Sequence, residues 1–149
     1  MNEALLAKPI PDVSMASPSA RILASVGAIA MAGGTVAVAA FDPSKNGFFP
    51  VCPLLALTGL ACPGCGLTRS LHAFLHGDIV PALDFNLLLP LWIFIFGAFF
   101  VSLALVAACG RGLGASLARP RLMTTFLVVL VTFGIVRNIP QWPFTILFP

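Results

Sequence analysis

Charge is the scarcest property of this sequence. Only 9% of its 149 residues are Asp, Glu, Lys or Arg, against roughly 25% in an ordinary soluble domain. With 59% hydrophobic residues and a mean hydropathy of +1.04, the chain reads as a membrane protein and not as a water-soluble monomer. Eight Lys+Arg against five Asp+Glu leave a formal charge of +3, too thin and too scattered a basic balance for a nucleic-acid partner. The long apolar runs carry no internal charge, whereas a transporter of this size is expected to place charges near the bilayer midplane. Cys65 is followed by Gly66 and not by His, which excludes an attached c-type haem. The pattern of a βαβ unit is missing too, which argues against a thioredoxin-like domain.

The apolar runs predict an all-α membrane protein with three transmembrane helices. Residues 1–21 carry Pro9, Pro11 and Pro18 and read as a flexible tail. Ile22 to Phe41 is twenty uncharged residues between Arg21 and Asp42, the length a helix needs to cross a roughly 30 Å hydrocarbon core. Its many Ala and Gly residues predict a first span packed inside the bundle. An alternative reading makes this stretch a cleavable signal segment ending in Ala37-Val38-Ala39, and either version sends residue 42 onward to the outer side. Leu87 to Cys109, twenty-three uncharged residues, is the second span, with Cys109 expected as a buried small apolar residue at its inner end. Leu122 to Val136 offers only fifteen between Arg121 and Arg137, so a third crossing over 122–138 requires both arginines to snorkel outward. Residues 110–121 then form a basic loop, and 139–149 an interfacial tail.

Lys8, Arg21, Arg111, Arg119 and Arg121 fall on one face of such a topology, and Lys45, Arg69 and Arg137 on the other. The positive-inside rule places the amino terminus in the cytoplasm, with the 42–86 segment and the carboxyl terminus outside.

That 42–86 segment concentrates the chemistry: three of the four cysteines, both histidines and three of the five acids. It is too long for a turn and too apolar for a solvated loop, and is expected to fold back as a short amphipathic or re-entrant cysteine-rich helix over about 65–76. Leu67, Leu71, Phe74 and Leu75 form its apolar face. At about 100° per residue, Cys65, Arg69, His72 and His76 fall within one narrow stripe opposite. Cys62-Pro63-Gly64-Cys65 opens this helix, where a thiolate gains from the free N–H groups, the helix dipole and Arg69 one turn along.

Three readings of the cysteines stand side by side. In thiol–disulfide exchange, Cys62 attacks and Cys65 resolves the mixed disulfide. In a metal site, Cys52, Cys62 and Cys65 bind an ion such as zinc and a fourth ligand comes from elsewhere. In the third, the Pro, Gly and Cys residues shape a tight turn or a structural disulfide. His72 lies about 10.5 Å further along a helix from Cys65, too far to share its ion unless the helix begins after Cys65. His72 and His76 could instead share a separate ion at i, i+4 spacing, or contact a haem or quinone. Asp84 and Asn86 at the start of the second span and Arg137 and Asn138 at the end of the third emerge on the same face as the cysteines, and Arg137 is placed to pair with Asp78 or Asp84.

Cys52-Pro53, Thr58-Gly59, the run CPGCGLTRSLHAFLHGD from Cys62 to Asp78, Asn86 opening an apolar span, and Arg137-Asn138 with Pro140 together resemble a bacterial membrane family, domain of unknown function 2752. The resemblance covers roughly residues 49–140 and matches Cys52, Cys62, Cys65, Arg69, His72, Asp78, Asn86 and Arg137. The family's Asn-Pro at the second span is here Asn86-Leu87. The resemblance implies a small polytopic protein of the bacterial cytoplasmic membrane with an extramembrane cysteine motif, and transfers no catalytic mechanism. The expected role is that of a non-enzymatic accessory or assembly subunit. Its partners would be the lipid bilayer and another membrane protein or a second copy. The alternative is a membrane thiol–disulfide oxidoreductase.

Overall fold

The computed structural model describes residues 15–45, 49, 51–114, 119–142 and 147, which form six α-helices and no strand. The first, α1 (Pro18–Ala40), has Pro18 in its opening turn, and the Ser17 side chain accepts the Ala20 N–H at 3.3 Å. Proline is tolerated there because that N–H has no helical acceptor to lose. Its antiparallel partner α5 (Leu89–Cys109) packs along it. Arg21 Nε and Nη2 donate to Ala107 O at 3.1 and 3.0 Å, and Nη2 donates to Ala108 O at 2.9 Å. Arg21 thus satisfies carbonyls that the last turn of α5 leaves without helical donors. Along the contact, a Cβ on Gly27 would stand 3.3 Å from Leu103 Cδ1, so the Leu103 side chain packs against bare backbone at Gly27.

These two helices are long and apolar enough to cross a membrane, and 6% of each apolar window is buried in the protein. That fraction separates them from the core helices of a soluble domain, whose apolar residues are mostly covered. The reading of α1 as packed inside a bundle is corrected by the same fact: within it only Ala24 is buried, and Gly33 and Gly34 have open space beside them. Cys109 is exposed and not buried. The last helix, α6 (Pro120–Val136), has 17 residues and at 1.5 Å per residue reaches about 25 Å. Two helices, and not three, meet the length for a full crossing.

Between α1 and α5 the segment holds three helices where the sequence pattern predicts one: α2 (Pro53–Thr58), α3 (Leu67–Leu75) and α4 (Ile79–Phe85). Gly66, with φ +79°, sets the start of α3, and Gly77, with φ +87°, reverses the chain into α4, a backbone region that favours glycine. The α3–α4 hairpin closes on Ala73 and Ala82, joined by Leu89 and flanked by Leu67, Phe85 and Ile93. The fully buried Ser70 Oγ donates to Ala82 O. Leu67, Leu71, Phe74 and Leu75 turn toward α1 and α5, where the three helices enclose an apolar groove of about 730 Å³. The expected apolar face is therefore real. It faces neighbouring helices.

The expectations for residues 1–14, 115–118, 143–146 and 148–149 lie outside the described residues.

Candidate metal centre

Cys52 precedes Pro53 as the N-cap of α2. Ten residues on, Cys62-Pro63-Gly64-Cys65 makes a turn in which Cys65 N donates to Cys62 O at 3.0 Å, and Leu67 N continues it to Gly64 O at 3.0 Å. The Cys62 N–H points at Cys65 Sγ, 3.2 Å away. The three sulfurs converge: Cys62 Sγ lies 3.4 Å from Cys52 Sγ and 3.3 Å from Cys65 Sγ, and all three fall within 4.8 Å of one another. Sulfurs on one tetrahedral zinc, with bonds near 2.3 Å, sit about 3.8 Å apart. All four cysteines are free thiols.

Environment divides the three. The Cys52 thiol is drawn down to about 7, foremost by the Leu55 amide and then by the Cys65 S–H. No side-chain hydrogen bond closes this cap, so the amides act through their dipoles at the start of α2. Cys65, 4% exposed, is pushed up to about 12, chiefly because burial disfavours its anion. The helix expected to open at about Cys65 begins at Leu67, so Cys65 sits in the turn before the helix and inside the protein, without the help of the helix amides.

The turn is held from two sides. Asn86 Nδ2 donates to Pro63 O at 3.0 Å and Cys65 O at 3.1 Å, while its Oδ1 accepts the Leu88 N–H at 2.9 Å. One amide side chain thus closes an Asx-turn at the entry to α5 and grips the cysteine turn. From the end of α6, Arg137 Nη1 donates to Cys62 O at 2.9 Å and Cys65 O at 3.3 Å, and Nε to Leu147 O at 3.1 Å. Asn138 takes both backbone groups of Ala61, accepting its N–H and donating to its C=O, each at 2.8 Å. Asn138, which the sequence places beside Arg137 on the outer face, thus clamps the residue that precedes the cysteine turn.

Arg137 is 1% exposed and pairs with no carboxylate among the described residues. The predicted pair with Asp78 or Asp84 is not formed, and both acids are exposed. Nor does Arg137 snorkel outward. Its Nη2 is buried without a hydrogen-bond acceptor, its Cζ stands 5.0 Å from the Phe133 ring centroid, and its charge acts on Cys65, Cys62 and Cys52. A buried cation demands a nearby anion, and among the described residues the groups its charge acts on are the three sulfurs.

The histidines are elsewhere. His72 Nδ1 donates to Val38 O at 2.6 Å and His76 Nε2 to Ala39 O at 3.0 Å, so both rings, 4.5 Å apart, serve carbonyls that the last turn of α1 leaves open. The stripe predicted from Cys65 through His76 is therefore split, although α3 does begin after Cys65 as a shared ion would require. Arg69 remains with the sulfurs. Its Cζ lies 5.3 Å from the Phe85 ring centroid, and it borders a pocket of about 190 Å³ that Cys52 and Cys65 also line.

Residues 52–100 match the family described as "Protein of unknown function (DUF2752)". The chain resembles that family over a stretch that begins at Cys52 and covers Cys62, Cys65, Arg69, His72, Asp78 and Asn86. Arg137 and Asn138 fall beyond it. No curated protein and no solved structure matches the chain.

Proposed function

We propose that this chain is a small integral membrane protein whose three cysteines, Cys52, Cys62 and Cys65, hold a zinc-class ion as three thiolates. In this reading α1 and α5 cross the bilayer and α6 makes the third, shorter crossing. Burial of Arg137 under the cysteine turn supports that topology, because the end of α6 is then covered by protein and its charge meets no hydrocarbon. The amino terminus is cytoplasmic and the metal faces the outer side, in a bacterial cytoplasmic membrane. The role is structural and non-enzymatic: the ion fastens the 42–86 segment across the ends of α5 and α6, forming the surface by which an accessory subunit meets a membrane partner or a second copy. One observation carries the reading, the convergence of three sulfurs within 4.8 Å beside a buried guanidinium that pairs with no acid among the described residues. Three thiolates on a divalent ion carry one net negative charge, and Arg137 cancels it.

The second reading, thiol–disulfide exchange, is supported by the central place of Cys62 between Cys52 and Cys65. There the Cys62 thiolate attacks a disulfide of a partner protein and releases one partner thiolate. Cys65 then displaces the second, leaving a Cys62–Cys65 disulfide and a reduced partner. Metal analysis of the full chain purified in detergent separates the two. Metal binding predicts about one zinc per chain, lost in Cys52→Ser, Cys62→Ser and Cys65→Ser and kept in Cys109→Ser. Metal-free protein with a Cys62–Cys65 disulfide in native membranes would overturn it.

A further inference from the structure

Three sulfurs leave a tetrahedral ion one ligand short, and the other described residues do not supply it. The remaining cysteine, Cys109, ends α5 about 30 Å from that helix's start near the site. The only two histidines are committed to Val38 and Ala39. Among the described residues no carboxylate joins the cluster; Asp42 is engaged with Ser44 N at 2.8 Å and Lys45 at 3.2 Å, and Asp78 and Asp84 are exposed. A closed structural site uses four protein ligands, whereas three leave a position for an exogenous one.

That position has somewhere to open. The pocket of about 190 Å³ has Cys52 and Cys65 in its wall, with Val51, Leu55, Thr68 and Arg69. It is smaller than the roughly 300 Å³ of a drug-sized site, so its occupant has only a few heavy atoms. Arg69 is half-buried over Phe85 and has no carboxylate and no hydrogen-bond partner among the described residues. The first turn of α3 lies on the same wall. Its N-cap is Gly66, which offers no capping side chain, and the Thr68 and Arg69 amides find no acceptor among the described residues. A guanidinium fork and free helix amides beside a metal select a planar oxyanion, and Val51 and Leu55 add a short apolar wall.

Resting on the metal reading above, we infer that the fourth position is taken by a small carboxylate, with one oxygen on the metal and the other on Arg69. The charges close: Arg137 balances the metal–thiolate unit and Arg69 balances the carboxylate. The carboxylate belongs to a free small acid or to an acidic side chain of a partner, and both present the same group.

The test uses the reduced full-length chain in detergent, loaded with Co²⁺ and titrated with sodium propionate. Sulfur-to-cobalt charge-transfer bands report the three thiolates, and the visible ligand-field bands report the fourth ligand. Propionate is expected to shift the ligand-field bands saturably in the millimolar range. Arg69→Met, which keeps the packing on Phe85, should weaken propionate at least about tenfold, as expected for loss of a charge-assisted bond, with the charge-transfer bands unchanged. If those bands form and propionate alters nothing, or acts equally on Arg69→Met, the carboxylate site is overturned and the metal site stands. If they never form, the metal reading fails and takes this one with it. A free acid that competes with propionate identifies a small ligand, and an acidic peptide that competes identifies a partner side chain. Either supports the site.

Discussion

In the reduced, metal-free protein, Cys52 should be the fast thiol and Cys65 the slow one. An ordinary cysteine, starting from a value of 9.0, is about 1% thiolate at pH 7, whereas Cys52, drawn down to about 7, is about half ionised. The thiolate fraction thus rises about 50-fold. A weaker base is also a weaker nucleophile, and a Brønsted slope of about 0.45 over two pH units removes about eightfold. The net expectation is alkylation about six times faster than that of an unperturbed peptide thiol. For Cys65, pushed up to about 12, the same arithmetic gives a rate about 50 times slower than that reference, before its burial adds any steric protection. The assay is a timed pulse of iodoacetamide in detergent with chelator and reductant, mapped by mass spectrometry between pH 6 and 9. The Cys52 rate should level off above about pH 7. Because its thiol is more acidic folded than unfolded, Cys52 also stabilises the fold fully above the unfolded value near 9 and loses that contribution as pH falls through about 7. Equal rates at Cys52 and Cys65, or a Cys52 rate still rising tenfold per unit through pH 8, would refute the assignment.

Asn86→Ala orphans Pro63 O and the Leu88 N–H and removes a second donor from Cys65 O; it should cost about 2–3 kcal/mol at one net kcal/mol per bond, read by denaturant unfolding in detergent. Arg137→Met should damage metal binding more than folding, because Cys62 O keeps the Cys65 N–H and Cys65 O keeps Asn86. Zinc affinity should fall at least about tenfold by chelator competition, with Arg137→Lys falling between it and wild type, and a wild-type affinity in Arg137→Met would break the link between this charge and the sulfurs. Ser70→Ala removes the buried bond to Ala82 O and should cost about 1 kcal/mol, seen as faster amide exchange across α4 with α1 and α5 unaffected.

The long helices were legible because twenty uncharged residues have few other uses. The predicted spans 22–41 and 87–109 differ from α1 and α5 only at their ends, where Pro18 and Leu89 start the helices. The short helices were not. At six and seven residues, α2 and α4 complete fewer than two turns, too few for a period to show. Pro53 and Pro81 each lie in a first turn, where a missing N–H costs nothing. Helix α3 was found but drawn too long, since periodicity cannot see that Gly66 turns left-handed and places Cys65 in a turn.

Within the site, spacing revealed the three sulfurs and hid what surrounds them. A cation near a helix end invites pairing with the nearest acid, and Asp78 and Asp84 are nearest in sequence. Arg137 instead serves peptide carbonyls and the cysteines, partners that carry no sign in a sequence. The histidines misled for a related reason: α1 ends at an extended Phe41 with no polar side chain at its cap, so its last carbonyls draw on imidazoles 34 and 37 residues downstream. The same logic bears on the family match, which stops at residue 100. The three cysteines lie inside it, but the buried Arg137 and the Asn138 clamp lie at the far end of α6. The matched stretch supplies the sulfurs and Asn86, while in the proposed metal site the charge that offsets three thiolates comes from the end of a helix outside it. Metal affinity should therefore track the docking of α6 as closely as it tracks the cysteines.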